Sequence, residues 1–394
     1  MSDRKFAVIG LTDSREQWFP PDVTSIIKAG KVFSGGKRHY EIVQHLLPAN
    51  AVWIDITVPL ENVFSEYLPY DDIIVFASGD PLFYGYAVTL QREFPDAGIE
   101  VLPAFNSLQM LSHRLSLPYA DMVSVSVTGR PWKNLDVALM RDQRLIGILT
   151  DRKKGPAEIA RRMLDYGYDN YKMSIGECLG NSMETIRTLS LSEAAHTEFR
   201  NPNCVILLMT GRRERFFGIP EELFCHLEGR ANMITKMPIR LVSLAMLDLF
   251  GKSVMWDVGF CTGSVSIEAR LQFPELDVVA FERREESRRL IEENCRRFGV
   301  PGIESVIADF MESDLDSYPA PDAVFIGGHG GRLEEMVERI FQHLKPGGCV
   351  VFNSVSEDSC RAFSEAVQKC GRHISATHRL HLDSYNPIMI MKAI

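Results

Sequence analysis

The stretch Met255–Glu268 constrains the fold of this chain more than any other part of its sequence. An apolar run ends at Asp257, breaks at Gly259 and Gly263, and resumes with helical spacing, so the pattern predicts a buried strand that turns sharply into a helix. Glycine permits positive φ angles and a close ligand, and the helix that follows offers free N–H groups. The stretch therefore predicts a nucleotide-binding turn, although glycine turns of this kind also occur for packing alone.

The predicted turn departs from the general form Asp-x-Gly-x-Gly-x-Gly at one position. Cys261 stands where the middle glycine is usual. A Cβ atom there is expected to fit only if φ is negative or if the ligand lies slightly further out.

Length and composition limit the classes of protein that fit. A chain of 394 residues is long enough for two or three domains. Its net charge of −9 argues against a nucleic-acid partner, because phosphate binding requires basic surface. The eight cysteines lie at Cys178 or later without a Cys-x-x-Cys pair, which favours a reduced, cytoplasmic protein with no disulfide framework and no metal site. No signal peptide and no membrane partner is expected, since no apolar run approaches a membrane span.

Strands and helices alternate through the second half of the sequence and predict a doubly wound parallel sheet. Glu282 ends the second strand and follows Gly263 by 19 residues, the spacing at which an acidic side chain meets ribose hydroxyls. Asp309 ends the third strand, where an adenine contact is expected. An NAD-dependent enzyme would share this layout. The segments Ser375–His381 and Asn386–Met391 predict a closing antiparallel pair, which is typical of methyltransferases instead.

The first half of the sequence has glycine loops of its own. Buried strands are predicted at Lys5–Gly10 and Asp72–Ala77, and the turn Ser78–Gly85 after the second of these is a candidate site at the carboxyl end of a parallel strand. The turn could equally be a helix cap without a ligand. Residues 34–39, Ser-Gly-Gly-Lys-Arg-His, are either a solvated turn or a carboxylate-binding helix start. A mixed sheet with antiparallel neighbours is predicted further along.

Five motifs of the first half occur in an order that marks a family. Gly-Gly-Lys-Arg-His, Ala-Ser-Gly-Asp-Pro-Leu-Phe-Tyr-Gly, Pro-Ala-x-Asn-Ser-x-Gln, Thr-Gly-Arg-Pro, and Leu-Thr-Asp with a later Gly-Glu-Cys-Leu-Gly resemble the tetrapyrrole methyltransferases of cobalamin biosynthesis over residues 5–210. Within that family they resemble the branch that methylates carbon 5 of a late precorrin. The resemblance implies a two-subdomain α/β fold with S-adenosylmethionine in the cleft. The cofactor residues it implies are Gly79, Asp80, Leu82, Ser107 and Thr150.

One loop of the first half departs from that family. The family has Gly-x-Gly-Pro-Gly-Asp after its first strand, whereas residues 10–14 here read Gly-Leu-Thr-Asp-Ser, so different contacts are expected from this loop.

The second half, residues 230–394, resembles the decarboxylating methyltransferases of the same pathway, which act at carbon 15 and remove the carboxylate of the acetate arm at carbon 12. The matching motifs are Met-Ile-Thr-Lys with Arg240, Asp-Val-Gly-x-x-Thr-Gly-Ser-Val-Ser-Ile-Glu, Phe-Ile-Gly-Gly, and Leu-Lys-Pro-Gly-Gly. The resemblance implies a Rossmann-like S-adenosylmethionine-dependent (class I) domain. The cofactor residues expected in it are Thr235, Asp257, Gly259, Thr262, Gly263, Glu282, Ala308 and Asp309.

A tetrapyrrole (precorrin) substrate carries many carboxylates, so basic residues are expected to bind its acidic arms. The predicted residues are Lys37, Arg38 and Arg130 in the first half, and Lys236, Arg240 and Arg332 in the second. Decarboxylation needs a conjugated acceptor for electrons, which the macrocycle provides, so no metal is implied. His329, in Gly-Gly-His-Gly-Gly, is a candidate to move the proton, or a histidine that is merely exposed.

The expected organisation is a tetrapyrrole methylase domain at residues 1–210 with subdomains divided near 104, a linker at 211–229, and the second methyltransferase domain at 230–394. The expected function is methylation at carbons 5 and 15 with decarboxylation, by a cytoplasmic homo-oligomer. Three alternatives stay open. In the first, only the second half is catalytic and the first half binds tetrapyrrole. In the second, the substrate is an unrelated small molecule. In the third, the chain binds ligands without transferring a methyl group.

Overall fold

The computed structural model describes residues 4–382 and 386–394 and contains three β-sheets. Contacts between residues divide these residues into two units. Unit 1 comprises the described residues up to Pro131 together with Gln143–Arg161 and Asn170–Gly211. Unit 2 comprises Trp132–Asp142, Arg162–Asp169 and the described residues from Arg212 onward.

The first sheet, in unit 1, is entirely parallel. Its strands are β1 (Lys5–Leu11), β2 (Val32–Gly35), β3 (Val52–Asp55), β4 (Asp72–Ser78) and β5 (Gly98–Leu102), in the order β3-β2-β4-β1-β5. The helices in this part of the chain are α1 (Pro21–Ala29), α2 (Lys37–Val43), α3 (Leu60–Tyr67) and α4 (Tyr86–Glu93). Helices cover both faces of such a sheet, so strands β1 and β4 are apolar and mostly buried apart from exposed polar residues at their ends. Gly10 pairs with Ala77, which places the loops after β1 and β4 side by side.

The second sheet, also in unit 1, is mixed, as the sequence predicts. Its strands are β6 (Val123–Ser126), β7 (Leu145–Leu149), β8 (Tyr171–Glu177), β9 (Thr185–Ser190) and β10 (Asn203–Met209), in the order β6-β7-β10-β8-β9. Only β6 and β7 are parallel among these pairs. The helices that follow in the sequence are α5 (Ser107–Arg114), α6 (Lys133–Met140), α7 (Pro156–Asp165) and α8 (Leu191–Ala195).

Helix α5 is held in place at its first residue and along its apolar side. Asn106 Oδ1 accepts a hydrogen bond from Gln109 N at 2.9 Å, and Gln109 Oε1 accepts one from Asn106 N at 3.0 Å, which satisfies two free N–H groups of the helix start. Leu108 and Leu111 pack against Cys204 and neighbouring side chains of the second sheet. The loop before α5 is therefore fixed relative to strand β10.

The third sheet, in unit 2, has seven strands. They are β11 (Val254–Val258), β12 (Asp277–Glu282), β13 (Ile303–Ile307), β14 (Ala323–Ile326), β15 (Cys349–Ser354), β16 (Ile374–Leu380) and β17 (Ile388–Ala393). The order is β13-β12-β11-β14-β15-β17-β16, with β11–β15 parallel and β17 antiparallel to both of its neighbours. Unit 2 also contains helices α9 (Met237–Leu247), α10 (Ser264–Gln272), α11 (Glu286–Phe298), α12 (Leu333–His343) and α13 (Glu357–Lys369).

This sheet confirms the predicted doubly wound core and the predicted antiparallel pair. Alternate residues of β11 enter different apolar clusters: Trp256 packs with Phe281 on one face, and Met255 packs with Phe325 on the other. Because both faces are covered, the strand is a continuous apolar run instead of an alternating one. The topology places β11 at the centre of the parallel strands, so the loop after it opens at the middle of the sheet edge.

The two units and the predicted domains divide the chain differently. Segments Trp132–Asp142 and Arg162–Asp169 come from the predicted first domain but belong to unit 2, where Tyr168 Oη donates a hydrogen bond to Gly299 O at 2.7 Å. The predicted linker starts near the same point as the last segment of unit 2 and contains a short 3-10 helix at Glu221–Leu223. Other 3-10 helices lie at Gln44–Leu46 and Leu315–Ser317. Within residues 4–382 and 386–394, no helix is both long and apolar enough to cross a membrane.

Candidate functional site

The glycine loop between β11 and α10 is packed closely against two other parts of unit 2. Gly259 and Gly263 have φ angles of +80° and +77°. A Cβ atom on Gly259 would lie 2.6 Å from Gly328 N, and one on Gly263 would lie 2.7 Å from Ile291 Cγ1. Both glycines are therefore required where the loop meets the loop after β14 and helix α11. Packing accounts for these two residues, and the same loop also forms part of a cavity wall.

Cys261 has a left-handed backbone. Its φ is +51°, which rules out the first of the two expected alternatives, a negative φ, and leaves the second, a ligand that lies slightly further out. Its thiol donates a hydrogen bond to Met233 O at 3.1 Å, and its backbone N–H donates one to Glu282 Oε2 at 3.1 Å. A left-handed backbone at a residue with a Cβ costs energy, and these two contacts compensate for it. Burial raises the pKa of the thiol to about 11, so it is protonated and able to donate.

A cavity of about 570 Å³ opens at the carboxyl ends of strands β11 to β14. Its walls bring together residues that the sequence scatters over more than one hundred positions, and a volume of this size is typical of small-molecule sites. The predicted site residues that line it are Thr235, Lys236, Gly259, Thr262, Glu282, Ala308, Asp309, His329 and Arg332. Asp257, Gly263 and Arg240 are not among the lining residues.

Glu282, at the end of β12, is a buried carboxylate whose oxygens both have partners. Oε2 accepts from Cys261 N, Oε1 accepts from the backbone N–H groups of Arg283 and Arg284 at 2.9 and 3.1 Å, and the Arg284 guanidinium lies 3.1 Å from each oxygen. The carboxylate is thus held facing the glycine loop. Next to it on the cavity wall, Asp309 Oδ1 accepts a hydrogen bond from Met311 N at 2.9 Å.

Asp257 and Thr262 carry polar atoms without partners. Asp257 Oδ2 accepts from Ser266 N and Oγ at 3.2 and 2.5 Å. Among the described residues, Asp257 Oδ1 and Thr262 Oγ1 are buried and have no hydrogen-bond partner. Burial, with a smaller effect of the Glu282 charge, raises the pKa of Asp257 to about 7. Unsatisfied buried polar atoms are rare in native proteins, so the hydroxyl of Thr262, which lines the cavity, favours a polar ligand beside the loop.

Arg240 does not line the cavity, although its predicted role of binding an acidic arm of the substrate requires that position. The side chain is fully buried and forms an ion pair of 3.3 Å with the fully buried Glu268. It also donates to Thr235 O at 2.8 Å and to Ile219 O. The prediction that Arg240 holds an acidic arm of a substrate is therefore wrong, because every direction of its guanidinium faces protein. The sequence shows that Arg240 lies one helical turn from Lys236, but it does not show that Glu268 of helix α10 packs against the Arg240 side chain.

Three other predicted residues border the cavity with polar side chains. Lys236 is half-buried at the start of α9, and the exposed Arg332 pairs with Glu335 at 2.5 Å. His329 is half-buried, and its Nδ1 accepts a hydrogen bond from Gly331 N at 3.3 Å. Burial lowers the pKa of His329 below its ordinary value of 6.5, so the ring is neutral at pH 7 and can accept a proton.

The cavity has further lining residues that the sequence analysis did not assign to a site. Arg283 and Arg284 follow the acid that ends β12, which was a usable signal. The others come from segments whose position depends on tertiary structure, such as the β16–β17 pair. They include Asn232, Met233, Ile234, Phe310, Met311, Asn353, Val355, Leu380, Leu382, Asn386 and Ile388.

In unit 1 the loops after β1, β4 and β5 are in direct contact. Gly79, with a φ of +62°, donates its N–H to Leu11 O at 2.7 Å and accepts from Ala104 N at 3.2 Å. A Cβ atom on Gly79 would lie 2.9 Å from Asn106 Cα. The predicted Gly79 is therefore half-buried and packed between neighbouring loops. Its successor Asp80 is half-buried and caps the next turn by accepting from Leu82 N at 2.9 Å.

The remaining predicted cofactor residues of unit 1 lie on either side of the start of β10. Ser107 O accepts a hydrogen bond from Cys204 Sγ at 3.5 Å, and Thr150 Oγ1 donates to Asn203 Oδ1 at 2.7 Å. Because Ser107 directly follows the residue against which Gly79 packs, the five predicted residues belong to one continuous region.

The altered first loop of unit 1 contributes a carboxylate. Asp13 pairs with Arg38 at 3.1 Å and accepts from Asn181 Nδ2 at 2.7 Å. Arg38 also donates to Ser78 Oγ at 2.9 Å, while Lys37 is exposed at the start of α2. The loop thus replaces glycine contacts with an ion pair to a predicted substrate residue.

The third predicted basic residue of this unit is exposed as well. Arg130 lies with its guanidinium 4.9 Å from the centre of the Tyr84 ring.

Comparison with known proteins distinguishes the two halves of the chain. Residues 23–195 match the family model of the Tetrapyrrole (Corrin/Porphyrin) Methylases, and residues 227–393 match the Precorrin methyltransferase domain. A cobalt-precorrin-7 C(5)-methyltransferase of Salmonella typhimurium is 28% identical over 204 residues, 51% of this chain and 97% of its own length. A cobalt-precorrin-6B C(15)-methyltransferase (decarboxylating) of the same species is 36% identical over 168 residues, 43% of this chain and 85% of its own length.

One relative extends over both halves. The precorrin-6Y C(5,15)-methyltransferase [decarboxylating] of a Sinorhizobium species is 31% identical over 359 residues, which cover 89% of this chain and 84% of the relative. A likeness of this extent includes the loop after β4 and the loop after β11 alike. The chain therefore belongs to the family of the precorrin-6Y C(5,15)-methyltransferases (decarboxylating).

Proposed function

We propose that this protein transfers methyl groups from S-adenosylmethionine to carbons 5 and 15 of a precorrin-6 type macrocycle and removes the carboxylate of the acetate arm at carbon 12, in cobalamin biosynthesis. The observation that carries the proposal is the cavity of unit 2, which is lined by most of the cofactor residues and two of the substrate residues predicted for this half. The reactions named for the relatives supply the substrate class.

The residues of unit 2 fit the cofactor. The cavity of about 570 Å³ accommodates a nucleoside with an amino acid tail. Gly259 and Thr262 line the cavity and are assigned to the amino acid part, where the hydroxyl of Thr262 has no partner among the described residues. Glu282 is assigned to the ribose. Thr235, Ala308 and Asp309 complete the wall on either side.

S-adenosylmethionine supplies an electrophilic methyl group, and the protein chiefly has to orient the accepting carbon. Orientation of this kind can account for about 7–11 kcal/mol of a reaction barrier. In unit 2, Lys236 and Arg332 border the cavity and are assigned to the carboxylates of the substrate. His329, neutral at pH 7, is placed to take the proton of the carboxylic acid; as carbon dioxide leaves, its bonding electrons pass into the conjugated macrocycle, and the proton returns from His329 to the methylene carbon, which becomes a methyl group.

In unit 1 the same reasoning assigns Gly79, Asp80, Leu82, Ser107 and Thr150 to a second molecule of S-adenosylmethionine. Lys37, Arg38 and Arg130 are assigned to the acidic arms. The alternative in which only the second half is catalytic is less well supported, because a single-activity C(5)-methyltransferase matches the first half over 97% of its own length. Eight free cysteines in the described residues fit the reducing environment of the cytoplasm.

Two matched substitutions in the full chain test the proposal. Asp80 and Asp309 each cap the residue two positions ahead at 2.9 Å, and asparagine retains that hydrogen bond while removing the charge. The wild-type chain, given precorrin-6 type substrate and S-adenosylmethionine, is expected to yield a doubly methylated, decarboxylated product by mass spectrometry. Asp80→Asn should lower methylation at carbon 5, and Asp309→Asn should lower methylation at carbon 15 together with decarboxylation.

The control is Asp358→Asn, since Asp358 is exposed on helix α13 and should leave the product unchanged. A wild-type chain that transfers no methyl group would refute the proposal. A wild-type chain that yields only a singly methylated, decarboxylated product, unaffected by Asp80→Asn, would support the alternative with one catalytic half.

A further inference from the structure

The segment Asn232–Lys236, hereafter the strap, forms one wall of the unit 2 cavity directly before helix α9. It has no helical or strand structure of its own. Its backbone hydrogen bonds include one from Met233 N to Arg230 O at 2.9 Å and one from Arg240 N to Lys236 O at 2.8 Å. A segment of this kind needs side-chain contacts to keep its carbonyl groups and side chains at fixed places on the wall.

Two side chains supply those contacts, and each binds a carbonyl of the strap. The thiol of Cys261 donates to Met233 O at 3.1 Å. The guanidinium of Arg240 donates to Thr235 O at 2.8 Å. The bound carbonyls are two residues apart, so the strap is held at both ends of its central residue, Ile234.

Both contacts connect the strap to the glycine loop or to helix α10, which directly follows that loop. Cys261 lies within the glycine loop. Arg240 is fixed by Glu268, whose carboxylate belongs to helix α10 directly after that loop and also accepts from Gly218 N and Ile219 N at 2.9 Å each. The strap is therefore positioned relative to the loop and its helix, and not merely attached to the outside of unit 2.

We infer that Cys261 and Arg240 form a clamp that positions the strap over the cofactor site, so that the cysteine in place of the usual glycine is a positioning residue of this site. The inference rests on the proposed function for the identity of the ligand. It explains why the loop tolerates a left-handed residue with a side chain at Cys261: a glycine there would relieve the backbone but would leave Met233 O without its donor. Burial raises the pKa of the thiol to about 11, which keeps the donating proton in place.

Three substitutions of Cys261 in the full-length protein separate the thiol from the backbone. Cys261→Ala keeps the side-chain carbon but removes the donor, Cys261→Gly removes the donor and relieves the backbone, and Cys261→Ser keeps a donor. Isothermal titration with S-adenosylhomocysteine is expected to show about three- to tenfold weaker binding for the alanine and glycine variants, the effect of one lost hydrogen bond. The serine variant should bind within about twofold of the wild type.

Hydrogen–deuterium exchange of the ligand-free protein provides a second measurement that does not depend on binding. Amides of residues 232–236 should exchange faster in Cys261→Ala than in the wild type, while the core strand β11 is unchanged. The matched control is Cys370→Ala, because Cys370 is a half-buried cysteine at the end of helix α13. It should alter neither measurement.

The outcomes distinguish the clamp from the proposed function. Unchanged affinity and unchanged exchange in Cys261→Ala would overturn the clamp, and so would tighter binding in Cys261→Gly, which would show that backbone strain decides the affinity. If the wild type binds no S-adenosylhomocysteine, the cofactor assignment fails, and the exchange of residues 232–236 alone then supports or overturns the clamp.

Discussion

Arg240 and Lys236 are four residues apart, yet their side chains have opposite surroundings. Arg240 is fully buried with Glu268, whereas Lys236 borders the cavity. Removing one partner of a buried ion pair leaves an uncompensated charge and typically costs about 3–5 kcal/mol. We expect Arg240→Met to lower the free energy of unfolding by that amount in urea denaturation, and Arg240→Met with Glu268→Gln to recover part of the loss. Equal stability of the single and double variants would contradict this.

Asp257 makes the stability of the protein depend on pH. Burial raises its pKa from 3.8 to about 7, so the folded state holds a proton that the unfolded state releases above about pH 4. The carboxyl group therefore lowers stability progressively as pH rises from about 4 to 7. Asp257→Asn lacks this dependence, and its unfolding free energy relative to the wild type should increase by up to about 4 kcal/mol between pH 4 and pH 8.

Urea denaturation at pH 4 and pH 8 measures this difference. Asp358→Asn, which changes an exposed carboxylate, serves as the control and should show no such trend. A constant difference between Asp257→Asn and the wild type would mean that Asp257 is ionised throughout this range.

His329 should affect decarboxylation more than binding. Its pKa lies below 6.5 because the ring is partly buried, so the neutral form that accepts a proton predominates at pH 7. We expect release of carbon dioxide to be independent of pH above about 6.5 and to fall at lower pH. His329→Asn should slow it by a factor on the order of 100 or more. His373→Asn, a change at an exposed histidine, is the control, and an unchanged rate in His329→Asn would remove His329 from the mechanism.

At the scale of elements, the loops after β11 and β14 can be in contact only because Gly259 has no side chain. Gly259 and Gly347 have similar φ angles of +80° and +77°, but a Cβ on Gly259 would lie 2.6 Å from Gly328 N, whereas one on Gly347 has no atom within 4 Å. Both alanine variants should lose about 1–2 kcal/mol from backbone strain. Only Gly259→Ala should also weaken binding of S-adenosylhomocysteine, by about tenfold or more, because the loops must separate. Equal affinities in titration would contradict this.

Some of these elements could be predicted from the sequence and others could not. The strand, loop and helix around Gly259 follow from an apolar run, two glycines and a return of helical spacing, all of them local signals. The surroundings of Cys261 could not be predicted, because its thiol binds Met233 O, 28 residues earlier in the chain. The burial of Arg240 depends in the same way on Glu268, from another helix. Local patterns predict elements, whereas such partners depend on how the elements pack.

At the scale of the whole molecule, the likeness to a relative over 89% of the chain and the two family models support two transfer sites in one polypeptide. We expect calorimetric titration of the intact chain to show two molecules of S-adenosylhomocysteine bound. Gly259→Ala should weaken one of them and leave the other unchanged, because Gly259 and the region around Gly79 belong to different units. A single binding event in the wild type would favour the alternative in which the first half only binds tetrapyrrole.

The position of β17 in the sheet affects how the protein folds during translation. Strand β16 pairs in the sheet with β17, which is translated after it, and β17 in turn separates β16 from β15. The parallel strands β11–β15 can assemble as they emerge, but β16 must remain without a hydrogen-bonded neighbour until β17 leaves the exit tunnel. Until then the open edge of β15 is available to another nascent chain. Slow translation of the last strands would therefore leave the edge of β15 open for longer and favour aggregation of this protein.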